Sequence, residues 1–116
     1  MTTVDNLALT YRDQGRAGEA AALGEQVLEK RRRILGDEHP YTLTSTHNVA
    51  STYHAQGRTG ESATLREEVL QKRRRILGDD HPDTLRTMSN LATTYEKLGR
   101  MTEAAEFKEK VQRQGY

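Results

Sequence analysis

The sequence predicts an all-α fold: a right-handed superhelical solenoid of about three antiparallel helix pairs. Three observations lead there. Residues 1–74 laid on residues 43–116 give 37 identities in 74 pairs, so the chain repeats itself at a period of 42. Self-similarity at a fixed period of this size is the mark of stacked supersecondary units. Apolar and small residues recur every three or four positions, as on one helix face, and no segment alternates with the period of a strand. Proline and glycine recur at fixed places in each unit, at Pro40 and Pro82 and at Gly15, Gly57 and Gly99.

The first helix of a unit is expected over about residues 40–56. Pro40 and Pro82 suit its first position, where the missing N–H costs nothing. His39 and His81 before them take the extended conformation that a following proline favours. The stripe Leu85, Met88, Leu91, Ala92, Tyr95 and Leu98 marks the buried face, and Gly57 closes the helix as a left-handed cap. The second helix is expected over about residues 59–77, with the stripe Ala63, Arg66, Val69, Leu70, Arg73, Ile76 and Leu77. Its arginines can bury their stems while the charged heads stay in water. Gly78 ends it, with Arg73, Arg74 and Arg75 near the negative end of the helix dipole. A pair like this cannot bury both stripes alone, so neighbours stack, first helices on the concave side and second helices behind. The repeats are expected at about 1–36, 37–78 and 79–116, as one domain.

Composition narrows the function classes. Of 116 residues, 34% are apolar and 30% charged, with 18 basic and 17 acidic side chains and a net charge of +1. No global field attracts nucleic acid or an anionic membrane. No apolar run reaches the roughly 20 residues that span a bilayer, and no signal peptide is recognisable. The absence of cysteine fits a reducing compartment, so the expected location is cytoplasmic. Serines lack a paired base, and neither GxxxxGK nor GxGxxG occurs, so no enzyme and no cofactor are expected. His47 and His54 are seven apart, about 10 Å along a helix, too far to share one metal ion. His39 and His81 read as helix-start residues, not ligands. The blocks Arg31–Arg33 and Arg73–Arg75 have glutamates nearby and no interleaved aromatics for base stacking, and read as solvated helix ends.

The signature NLAxTY…GR..EA over residues 90–104 resembles a tetratricopeptide repeat. The 42-residue period, with LGDDHPDTL over 77–85 between units, resembles the kinesin light chain type. It is also similar to the regular arrays of nephrocystin-like proteins and of immune-type signalling ATPases. The large aromatic usual early in the second helix is Leu23, Leu65 or Phe107 here. The arginine triplets are more basic than is typical, and no nucleotide-binding module is present.

The resemblance implies a non-enzymatic module that binds a peptide or partner helix in its concave groove. It implies that Asn6, Asn48 and Asn90, at one place on each first helix, hydrogen-bond the ligand backbone, which an amide can do as donor and acceptor. The other reading of this column is that the asparagines bridge neighbouring helices. Around it lie Thr2, Thr44 and Arg86; Asp5, His47 and Ser89; Leu9, Ser51 and Thr93; and Arg12, His54 and Glu96. The groove candidates are thus Asn6, Asn48, Asn90, His47, Ser51, His54, Arg86 and Thr93. Tyr11, Tyr53 and Tyr95 read as core. Met1 aligns with Leu43, so the chain reads as a piece of a longer array. Its uncapped ends predict self-association. A spacer or self-association segment of a larger signalling receptor array is the alternative function, favoured by the high identity between units.

Overall fold

The computed structural model describes residues 17–114. Five α-helices occur among them: α1 Ala17–Leu35, α2 Pro40–Ala55, α3 Thr59–Leu77, α4 Pro82–Lys97 and α5 Met101–Arg113. No strand is found in these residues. The chain divides into two compact units, Met1–Ser62 and Ala63–Tyr116. Helices α1 and α2 pack together in the first, α4 and α5 in the second. The expected helix starts at Pro40, Thr59 and Pro82 are observed.

Histidine does the work of an N-cap at both inter-repeat turns. His39 and His81 are extended, with φ −65° and −64°. Each Nδ1 accepts a hydrogen bond from the backbone N–H two residues on, from Tyr41 at 3.1 Å and from Asp83 at 3.0 Å. The N–H groups of a first helical turn have no partner within the helix, and a side-chain acceptor supplies one. His81→Ala should therefore cost about 1 kcal/mol in denaturant unfolding, while His81→Asn, another capping acceptor, should cost close to nothing.

Helix ends follow two glycine patterns. After α2 and α4, Gly57 (φ 81°) and Gly99 (φ 78°) turn the chain into the left-handed region. The next N–H returns to an earlier carbonyl, Arg58 to Tyr53 and Arg100 to Tyr95, both at 2.8 Å. This pairing is a Schellman closure. After α1 and α3, Gly36 and Gly78 instead donate to Arg32 and Arg74 at 3.1 Å, the simpler left-handed cap.

The GR..E motif gains a physical reason. The Arg58 guanidinium lies 3.8 Å from the Tyr53 ring centroid, and Arg100 lies 4.2 Å from that of Tyr95. Each arginine then forks onto the glutamate three residues later, Arg58 onto Glu61 at 3.0 and 2.7 Å and Arg100 onto Glu103 at 2.7 and 2.6 Å. These bonds hold the Glu61 and Glu103 carboxyls below the usual carboxylate range. One side chain thus covers the aromatic of one helix and ties down the first turn of the next. Tyr53 and Tyr95 are buried, at 9% and 4% exposure, as core residues. Tyr11, Gly15 and Arg16 lie outside the described residues.

A chain with few apolar residues fills its interior with threonine. Thr42, Thr46, Thr52, Thr84, Thr87 and Thr94 are all buried. Several hydroxyls donate to the carbonyl one turn back, as Thr46 does to Thr42 at 2.9 Å and Thr87 to Asp83 at 2.9 Å. In these the polar atom is satisfied within its own helix, leaving the methyl to pack, whereas the buried hydroxyls of Thr42 and Thr84 make no hydrogen bond. In the second unit Leu70, Leu85, Met88, Leu91, Ala92 and Tyr95 form the core, with Phe107 and Val111 against it.

Two expectations need correction. Leu98, Ile76 and Leu77 belong to the expected stripes, but are 38%, 47% and 40% exposed. They stand at the C-cap of α4 and in the last turn of α3, where the packed part of each helix has ended. The arginine heads of α3 are not simply in water either. Arg66 is only 8% exposed, and its Nη1 donates to the Asn90 carbonyl and to Thr94 Oγ1, both at 3.1 Å. Arg73 Nη1 reaches Thr87 Oγ1 at 2.8 Å and the Asp83 carbonyl at 3.5 Å. In the first unit Arg31 repeats this, to Ser45 Oγ at 2.7 Å and the Tyr41 carbonyl at 3.1 Å. Burial draws the Arg66 and Arg73 guanidinium pKa values below their usual level. The Nη1 hydrogen bonds replace part of the lost water, while the Nε atoms of Arg31 and Arg66 are buried without a hydrogen bond.

Candidate functional site

Asn48 stands on α2 immediately before Val49, and Asn90 on α4 immediately before Leu91. Both asparagines are half-buried, beside side chains that are 2% and 0% exposed. Their backbone carbonyls are engaged: Asn48 accepts from Thr52 Oγ1 at 3.0 Å, and Asn90 from Thr94 Oγ1 at 3.0 Å as well as from Arg66. Their side-chain amides make no hydrogen bond to another described residue. Each amide is thus held at the border of the core by a fixed backbone, with donor and acceptor unspent.

In the first unit, α2 carries His47, Ser51 and His54 on successive turns about Asn48, all half-buried. Each already engages in an interaction within the protein. Thr44, one turn before Asn48, is exposed. In the second unit, α4 brings Arg86, Asn90 and Thr93 onto one face at helical spacing. Arg86 is exposed and pairs with Asp83 at 3.4 Å. Thr93 is exposed, and its hydroxyl donates to the Ser89 carbonyl at 3.3 Å. Glu96 pairs with Lys108 of α5. Asn6, with Thr2, Asp5, Leu9 and Arg12, lies outside the described residues.

The arginine triplets divide between structure and solvent. Arg31 is 4% exposed, and Arg73 is half-buried against α4. Arg32 and Arg74 pair with Asp37 and Asp79 at 3.7 and 3.5 Å. Only Arg33 and Arg75 of the six are exposed, so the expected solvated helix end is overturned for Arg31. Among the described residues no group of three His, Asp or Glu could hold a metal ion. No helix among them is long and apolar enough to cross a membrane.

Sequence reasoning missed a cleft of about 570 Å³ in the second unit. Leu70, Leu91, Tyr95 and Phe107 form its apolar wall, and α3 supplies a polar rim. The Tyr95 and Phe107 rings stack at 5.8 Å. The Tyr95 hydroxyl donates to Glu67, and burial, reinforced by that carboxylate, pushes the phenol pKa up. The lone phenylalanine of the sequence, at a position held by leucine in the other units, was the available signal.

Helix pairs with a glycine–arginine cap, repeated at a fixed period, define a helical-repeat protein. The tetratricopeptide repeat family model matches residues 1–71 and 45–113, and the chain belongs to that family. Its fold is that of kinesin light chain-type structures. It is similar to the kinesin light chain nearly identical TPR-like repeats of Podosopora anserina, with 34% identity and a TM-score of 0.88. That match covers 95% of this chain and 52% of the other. It also resembles BtubC (BKLC) from P. vanneervenii at 19% identity, with a TM-score of 0.87 over 97% of this chain and 45% of that one. The latter likeness is one of fold alone. The chain spans about half the length of these solved structures. No curated protein matches its sequence. Tetratricopeptide repeats are generally a non-catalytic protein-interaction fold.

Proposed function

We propose that this chain is a non-enzymatic, cytoplasmic interaction module. Its first helices hold a peptide or partner helix in a concave groove, with Asn6, Asn48 and Asn90 bonding the ligand backbone. His47, Ser51, His54, Arg86 and Thr93 read the ligand side chains, and the repeats run over about 1–36, 37–78 and 79–116. The observation that carries this reading is the pair of unspent amides at Asn48 and Asn90, on backbone fixed by Thr52, Thr94 and Arg66. A preorganised amide loses little freedom on accepting and donating to an extended peptide.

The test begins with peptides selected from a random library on the native chain. Replacing Asn48 and Asn90 together by alanine should weaken such a peptide by about 2 kcal/mol, roughly one per amide bond. That corresponds to about thirty-fold in Kd. Unchanged binding by the doubly substituted chain would remove the asparagines from the site. The alternative reading, a spacer or self-association segment of a larger receptor array, is favoured by the 37 identities in 74 pairs, since ligand-reading surfaces need not be uniform.

A further inference from the structure

Both inter-repeat turns rely on an acceptor that acid removes. An N-cap is ordinarily a side-chain oxygen of Ser, Thr, Asp or Asn, which still accepts near neutral pH. Here it is a ring nitrogen. Nδ1 of histidine stands as many bonds from Cα as the side-chain oxygen of asparagine does, so it reaches the same backbone N–H. Nδ1 of His39 accepts from Tyr41 at 3.1 Å, and Nδ1 of His81 from Asp83 at 3.0 Å. Proline follows each histidine at the start of the helix, so one N–H of the opening turn is already gone, and the ring holds the next. To accept, the imidazole must be neutral with its hydrogen on Nε2. A second proton goes to Nδ1 and sets a donor against a donor.

The charged groups about each ring are largely committed to one another. Around His39, α1 brings Arg31 and Arg32, and the turn brings Asp37 and Glu38. Arg31 donates to the Tyr41 carbonyl and to Ser45, Arg32 pairs with Asp37 at 3.7 Å, and Glu38 is also engaged. The Tyr41 ring of α2 lies 5.2 Å from the imidazole. Around His81 stand Arg73 and Arg74 of α3, Asp79 and Asp80 of the turn, Asp83 and Arg86 of α4, and Lys110 of α5. Arg73 donates to Thr87 and to the Asp83 carbonyl. Asp79 pairs with Arg74 and with Lys110, each at 3.5 Å, and Asp83 with Arg86 at 3.4 Å. Asp80 is exposed. Most of these carboxylates are thus held by other cations, and a proton added to either ring meets a helix N-terminus that is itself partly positive.

We propose that these turns are pH-sensitive joints: protonation of His39 and His81 on mild acidification, between about pH 7 and pH 5, withdraws the N-caps of α2 and α4 and loosens the start of each first helix. The folded ring must give up its hydrogen bond to take the proton, and the unfolded ring gives up nothing. The contribution of the cap is therefore present above this range and lost as the pH falls through it. The other two histidines, His47 and His54, lie within α2 and cap no helix start. Because the two caps are equivalent positions of the 42-residue period, acid acts on successive joints in the same way and at the same time.

Thermal unfolding of the full chain, followed by circular dichroism at constant ionic strength across that range, tests this. The chain carrying His39→Asn and His81→Asn together keeps a capping acceptor in both turns and loses both titrating rings. At the neutral end the two chains should melt nearly together. On acidification the wild type should lose about 5 °C more of its melting temperature than the doubly substituted chain. A second readout needs no variant. In proton–nitrogen NMR spectra of the wild type, the Tyr41 and Asp83 amide signals should move upfield, as released amides do, in step with protonation of the ring two residues before. Amide signals that stay in place while the rings titrate overturn the proposal. So does an equal change of melting temperature in the two chains, which would assign any acid sensitivity to His47, His54 or the carboxylates.

Discussion

Leu91→Ala should lower the unfolding free energy by about 3 kcal/mol. Leu91 is 0% exposed, and it packs in the second unit among Leu70, Met88 and Tyr95. Removing three carbons there forfeits their transfer from water and leaves a void that the helices close only in part. Urea unfolding followed by circular dichroism would measure the loss. Leu91→Met, which keeps the volume, should cost less than about 1.5 kcal/mol. Leu98→Ala, at a position 38% exposed, should stay within about 0.5 kcal/mol of the wild type. Equal effects at the two leucines would contradict the packing described for α4.

Arg66→Ala should cost about 2 kcal/mol, from the loss of charged hydrogen bonds to Asn90 and Thr94, and of a buried stem. Arg66→Lys should recover little of this. An ammonium is a compact, strongly hydrated charge, and it does not reproduce the planar fork of a guanidinium. The first unit offers an internal contrast. Gly24 stands where the second has Arg66, and a Cβ there would meet Val49 Cγ2 at 3.4 Å. The same backbone register thus carries a glycine at ordinary contact distance from Val49 in one unit and a buried cation in the other. Denaturant midpoints of Arg66→Ala and Arg66→Lys, compared with wild type, check the expectation. No shift in either would mean that the guanidinium contributes nothing.

The helices were largely legible in the sequence because their boundaries are written in single residues. Pro40, Pro82, Gly57 and Gly78 each impose a backbone conformation, and the starts at Pro40, Thr59 and Pro82 followed. The stripes were legible in their middles and not at their ends. Periodicity continues to Ile76, Leu77 and Leu98 regardless of whether another element covers them. Arg66 was legible as a stripe position, but the burial of its charged head, and of Arg31, escaped because a hydropathy pattern gives a charged group to water. What buries them is a carbonyl and a hydroxyl on another helix, which no local pattern displays. The arginine of the GR..E motif was visible as a repeat, but its stacking on Tyr53 and Tyr95 was not. The asparagine column was legible as a position. That its amides stay uncommitted while its carbonyls are clamped depends on Thr52, Thr94 and Arg66, and only coordinates reveal that.

Arg31 and Arg73 each join the end of one helix to the start of the next through partners no more than fourteen positions away. Such a junction carries everything it needs within one short stretch of chain. Duplicating or deleting a whole 42-residue block would reproduce the joint intact, with no compensating change elsewhere. Growth by copying is then nearly free of structural penalty, and contacts so local in sequence also favour rapid folding.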